Sequence, residues 1–126
     1  MLRAIRAGWK ARIEEELRKI AETNGQVSLP ELIVQTPPKV ELGDIALPLF
    51  AQAKVLGMSP PALANELKNR LDAHELLVSG PYLNVRIDMN ALALDLTKAI
   101  REEGDAYGRN TTLDGKRIVV EFSCPN

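Results

Sequence analysis

The chain has 126 residues, 45% of them hydrophobic and 26% charged, as in ordinary globular domains. Sixteen basic residues oppose seventeen acidic ones, and the formal net charge of −1 argues against a protein that coats nucleic acid through general phosphate attraction. One cysteine and one histidine exclude an internal disulfide framework and argue against a zinc site. The charged N-terminus and the lack of a long apolar run exclude a secretory signal and a membrane helix. We therefore expect a monomeric cytoplasmic protein without a metal.

The first segment predicts an amphipathic helix over residues 2–22, ended by Asn24-Gly25. Its apolar side chains recur at steps of three and four and share one stripe, which we expect to face the core: Leu2, Ile5, Trp9, Ile13, Leu17 and Ile20. Its basic residues are expected on a solvated face: Arg3, Arg6 and Lys10.

A short strand is predicted over residues 31–36, ended by a Pro-Pro pair. After it, Gly43 permits a tight turn, and Asp44 is suited to cap a helix that we predict to begin at Ile45 and to stop at Gly57. A further helix is predicted after Ser59, which is a good N-cap.

The next segment predicts a hairpin, with strands over residues 76–79 and 82–88 around a Gly-Pro turn, and then a helix from about residue 90 to residue 103. In the second strand, apolar and polar residues alternate, so one face is predicted to be apolar and the other polar. Tyr82 and Asn84 share the polar face. An aromatic ring beside an amide can stack on an unpaired base and read its edge, and Arg86 is placed to hold a phosphate. The alternative is that Tyr82 covers a sheet edge and Asn84 is solvated.

Residues 104–116 are polar and are predicted to be a linker. The apolar run over residues 117–122 predicts a strand buried on both faces, as in a parallel sheet. Because no helix follows this strand, we expect the sequence to be the front end of a longer protein. The fold predicted for residues 1–115 is α+β, with a small, mainly antiparallel sheet covered by helices.

The run V-V-E-F-S-C-P-N at residues 119–126 resembles the opening of the catalytic domain of arginyl-tRNA synthetases, where it ends the first strand of a Rossmann-like class I domain. Three upstream motifs follow the order found in that family's N-terminal additional domain: L-G-D at 42–44, S-P-P at 59–61 and G-P-Y-L-N at 80–84. The glycine that the family usually has between this proline and the aromatic residue is missing, which predicts a turn one residue shorter.

The resemblance implies a tRNA-recognition domain over residues 1–115 and the start of the class I catalytic domain over residues 116–126. By the same resemblance, Tyr82 and Asn84 contact an exposed base of the tRNA D-loop, at the outer corner of the molecule.

A second site is implied at the end of the chain. By the same resemblance, Glu121 pairs with the guanidinium of the substrate arginine, and Ser123 and Asn126 lie against its backbone groups. A carboxylate presents the two coplanar oxygens that such a partner needs.

The whole enzyme would attach arginine to its tRNA, with ATP and Mg²⁺ as cosubstrates. The 126 residues hold no catalytic residue of that family, so they are expected to bind and not to catalyse. Two alternatives stay open. One is a free-standing RNA-binding module, and the other is a protein-interaction adaptor that docks through the first helix and leaves Trp9 exposed.

Overall fold

The computed structural model describes residues 1–25 and 28–123. Its helices and strands, in chain order, are α1 (Leu2–Thr23), β1 (Ile45–Pro48), α2 (Phe50–Leu56), α3 (Pro60–Leu71), β2 (Leu76–Ser79), β3 (Tyr82–Val85) and α4 (Met89–Glu103). The three strands form one antiparallel sheet in the order β1-β3-β2. The predicted α+β class, with a small antiparallel sheet and covering helices, is confirmed. Within the described ranges, no helix is both long and apolar enough to cross a bilayer.

The core lies between one face of the sheet and the helices α1, α2 and α3. On that face, Leu47 is paired with Leu83, and Ile45 with Val85, and all four side chains are buried. The predicted stripe of α1 is confirmed over most of its length, because its buried members continue this core: Trp9, Ile13, Leu17 and Ile20. The stripe loses contact with the core at its first residue, Leu2, which is exposed.

Trp9 is buried, and the guanidinium of Arg12 lies 4.3 Å from the centre of its ring. The adaptor alternative predicted that this indole is exposed, and that prediction is wrong.

The helix predicted to begin at Ile45 is wrong at its start, because residues 45–48 form β1 and α2 begins only at Phe50. The prediction used Asp44 as an N-cap. In the structure its Oδ2 accepts a hydrogen bond from the Ile87 N–H at 2.8 Å, and its own N–H donates to the Val85 carbonyl at 2.8 Å. Asp44 therefore joins β1 to β3 instead of opening a helix.

The strand predicted over residues 31–36 is also wrong, since the segment forms only one bridge. Gln35 donates to the Ala46 carbonyl at 2.8 Å and accepts from the Ala46 N–H at 2.9 Å. Pro37 and Pro38 follow at once, and a proline has no N–H to continue the ladder.

The other predicted elements are found close to their predicted bounds. The Ser59 hydroxyl accepts from the Ala62 N–H at the start of α3, and Gly57 ends α2 in the left-handed conformation. The hairpin turn has two residues, as the missing glycine predicts, because β2 ends at Ser79 and β3 begins at Tyr82. The second hairpin strand ends three residues earlier than predicted, at Val85.

The strand predicted over residues 117–122 is not formed here. Residues 117–123 lie outside any helix or strand, and their large apolar side chains are 53–89% exposed: Ile118, Val119, Val120 and Phe122. A strand needs a neighbour to pair its N–H and C=O groups, and this segment is not paired with β1, β2 or β3. That this segment opens a Rossmann-like domain stays a prediction, as do the domain bounds 1–115 and 116–126.

Candidate nucleic-acid interface

The second face of the sheet, opposite the core, carries Tyr82 and Asn84 on β3. Their partners on β1 are Pro48 and Ala46 respectively. The alternation predicted a polar face, but the segment 35–42 crosses this face and covers it. The segment and the sheet form a pocket of about 200 Å³, lined by Gln35, Thr36, Pro37, Pro38, Leu42, Ala46, Ser79, Tyr82 and Asn84.

Asn84 lines this pocket and is buried. Its side chain is only 2% exposed, and its Oδ1 has no hydrogen-bond partner among the described residues. The alternative in which Asn84 is simply solvated is therefore wrong. A buried polar atom without a partner costs roughly 1–3 kcal/mol, so such atoms normally have one.

A second buried amide oxygen, Oε1 of Gln52, also lacks a partner in the described structure, but its setting is different. The nitrogen of Gln52 donates to the carbonyls of Pro30 and Glu31, which fastens that segment to α2, and Gln52 does not line the pocket. Of these two amides, only Asn84 lines this pocket.

Tyr82 stands half-buried at the other side of the pocket, directly after the hairpin turn. Its ring contacts Phe50 edge to face, with the ring centres 5.8 Å apart and the planes at 89°. The Leu49 N–H donates to the Pro81 carbonyl at 3.1 Å and thereby holds the start of α2 against the turn. Sequence reasoning missed Phe50, because an aromatic residue at the start of a helix does not reveal its neighbour on a distant strand.

The segment 35–42, which forms the remaining wall of the pocket, is held by hydrogen bonds from two arginine side chains. Arg86 donates from Nη2 to the Glu41 carbonyl at 2.7 Å, and Arg6 on α1 donates to Thr36 Oγ1. One donor of Arg86, the predicted phosphate ligand, is thus engaged with the backbone of this segment. Arg6 was expected on a solvated face and instead supports the segment that carries Thr36.

All nine lining residues of the pocket are uncharged. An uncharged pocket with an aromatic wall and a buried amide suits a neutral, flat group better than a phosphate. A larger cavity of about 590 Å³ between α1 and residues 28–31 is lined by several carboxylates and contains none of the predicted site residues. In the part of the chain that the structure describes, no three His, Cys, Asp or Glu side chains are grouped to hold a metal ion.

The second predicted site is not assembled in this structure. Glu121 and Ser123 are both exposed, in a segment without helix or strand, and Asn126 lies outside the described residues. Their contact with arginine stays a prediction.

Residues 7–87 match the family model described as "Arginyl tRNA synthetase N terminal domain", and the chain belongs to this family. This match contains every residue that lines the pocket. The chain is 38% identical to an arginine--tRNA ligase of Treponema denticola, with 97% of the chain and 22% of that relative covered. An arginine--tRNA ligase of Clostridium botulinum is 34% identical, with 94% of the chain and 21% of the relative covered.

A solved structure of Thermus thermophilus arginyl-tRNA synthetase also matches, with 34% identity and a TM-score of 0.55 over 76% of this chain and 16% of that one. The chain therefore spans only about a fifth of the length of the curated relatives it matches.

Proposed function

We propose that residues 1–115 form the tRNA-binding domain of an arginine--tRNA ligase, and that its pocket takes one unpaired base of the tRNA D-loop. The family supports the class of partner. The observation that carries the proposal is the buried Asn84 amide, with an unpartnered oxygen, beside the Tyr82 ring in an uncharged cavity.

In this proposal, Tyr82 and Asn84 have different roles in recognition. The ring of Tyr82 offers a face for stacking, which is worth roughly 1–3 kcal/mol per base and tolerates any base. The amide of Asn84 has a donor and an acceptor, so it can read the edge of a base. Drug-sized ligands occupy pockets of about 300–1,000 Å³. The smaller pocket here suits a single base, with its sugar and phosphate left outside.

Phosphates outside the pocket would then meet the remaining N–H groups of Arg86. With a net charge of −1, general attraction to the RNA backbone is weak, so affinity should be modest and should depend little on salt.

The complete protein, in this proposal, attaches arginine to its tRNA in the cytoplasm, with ATP and Mg²⁺ as cosubstrates. Glu121 pairs with the guanidinium of arginine, and Ser123 and Asn126 contact its backbone groups. A bidentate carboxylate partner is what a planar guanidinium requires.

The test is binding of arginine tRNA to the protein, with wild-type transcripts and transcripts substituted in the D-loop. Tyr82→Ala should weaken binding of both transcripts about tenfold, because stacking is lost whichever base is present, while Tyr82→Phe should change little. Asn84→Leu should abolish discrimination between the transcripts. It should leave stability unchanged or higher, because it removes an unpartnered amide from a buried site.

Circular dichroism of each variant is the control for correct folding. If Tyr82→Ala binds both transcripts like the wild type, the pocket is not the D-loop reader. If Asn84→Leu still separates the two transcripts, the amide does not read the base.

A further inference from the structure

Phe50, the first residue of α2, is 52% exposed although it is large and apolar. It contributes little to the core, which α2 reaches through Gln52, Ala53 and Leu56. Its main aromatic neighbour is Tyr82, at 5.8 Å between ring centres and 89° between planes. We propose that Phe50 is a positioning residue for Tyr82. Its ring holds the tyrosine ring in the orientation that receives the base. This inference rests on the function proposed above.

The backbone around the two rings is fixed on both sides. Pro48 is paired with Tyr82 across β1 and β3, and Leu49 donates its N–H to the Pro81 carbonyl. Leu49, which precedes Phe50, is therefore hydrogen-bonded to Pro81, which precedes Tyr82. Because the two backbone segments are joined at this point, the backbones of Phe50 and Tyr82 are held close to each other.

Tyr82 needs such a neighbour because it begins β3 directly after the turn and is half-buried. An unrestrained ring at a pocket mouth samples several orientations, and ordering it on binding reduces affinity. Edge-to-face contact is a preferred aromatic geometry, because the positive edge of one ring meets the negative face of the other. In this arrangement the contact with Phe50 covers at most one face of the Tyr82 ring.

The binding test measures the affinity of the protein for the arginine tRNA transcript. Phe50→Leu keeps an apolar side chain but removes the ring, and it should weaken binding about two- to tenfold, the range that one aromatic pair supplies. Phe50→Tyr should restore affinity to near the wild type. Val55→Ala, which also alters a partly exposed apolar residue of α2, is the matched control and should have no effect.

Combining the substitutions separates positioning from direct contact. When Tyr82 is already alanine, Phe50→Leu should cause no further loss, because there is no ring left to position. A loss that adds fully to that of Tyr82→Ala would mean that Phe50 contacts the RNA itself, and it would overturn the inference. Wild-type affinity for Phe50→Leu, with weak binding by Tyr82→Ala, would overturn the inference and leave the proposed function standing.

A measurement without RNA keeps the inference testable if the pocket binds no tRNA. In an NMR spectrum of the labelled 126-residue chain, the tyrosine ring signals come from two residues, Tyr82 and Tyr107, and Tyr82→Phe assigns them. Phe50→Leu should move the Tyr82 signals toward those of Tyr107, which lies on the surface. Unchanged Tyr82 signals would show that Phe50 does not set the environment of the ring, whatever the pocket binds.

Discussion

Replacing Gly43 by alanine is expected to be strongly destabilising. Gly43 has φ 96° and ψ −161°, a backbone conformation that is essentially restricted to glycine. A Cβ built at this position would lie 2.7 Å from the Val85 carbonyl oxygen and 3.1 Å from its carbon. Both are backbone atoms of the central strand, so they cannot rotate away as the end of a side chain would.

The magnitude follows from two contributions. The disfavoured backbone conformation costs about 1–3 kcal/mol. Forcing an extra carbon into a packed site costs typically another 1–3 kcal/mol. The free energy of unfolding should therefore fall by about 2–6 kcal/mol, a large part of the roughly 5–15 kcal/mol that stabilises an ordinary domain.

Urea unfolding followed by circular dichroism measures this change, with Gly57→Ala as the matched control. Gly57 also has a positive φ, of 66°, but a Cβ there meets nothing within 4 Å. Its substitution should cost only the left-handed backbone term of about 1–2 kcal/mol. The loss of unfolded-chain entropy is common to both variants and cancels in the comparison. Equal unfolding midpoints for the two variants would refute the close approach of Gly43 to β3.

Two further predictions concern an exposed ion pair and the last ten residues of the chain. Lys10 donates to the Glu31 carboxylate and holds its pKa below the usual 4.5. A carboxyl group with a lowered folded pKa adds stability above its unfolded pKa and loses it as the pH falls through the folded value. Glu31→Gln should therefore flatten the decline of the melting temperature below about pH 4.5, and an unchanged decline would show that the pair adds no measurable stability. Removing residues 117–126 should leave the melting temperature nearly unchanged, because the apolar side chains there are exposed; a drop of many degrees in a thermal melt would contradict this.

Local signals in the sequence were sufficient for the elements whose structure depends on near neighbours. The stripe of α1 follows from spacing alone, and the start of α3 follows from Ser59 before two prolines. The end of α2 follows from Gly57, whose positive φ needs no distant contact. The Gly-Pro turn and the strands beside it were predictable for the same reason.

Elements that depend on distant partners could not be predicted in this way. The run that starts at Ile45 is apolar enough for a helix or a strand, and pairing with β3, some forty residues later, decides for the strand. Asp44 has the sequence context of a helix cap, but its carboxylate instead accepts a hydrogen bond from the Ile87 N–H. The burial of Asn84 depends on the segment 35–42 crossing the sheet, which no local pattern indicates.

The central strand β3 serves two purposes through alternate residues. Leu83 and Val85 face the core, while Tyr82 and Asn84 face the pocket. Substitutions on one side of the strand therefore act mainly on folding, and those on the other act mainly on the pocket. Under the proposed function, a lineage of such proteins would change the base that it accepts by substitutions at the pocket-facing positions, without rebuilding the interior that keeps the domain folded.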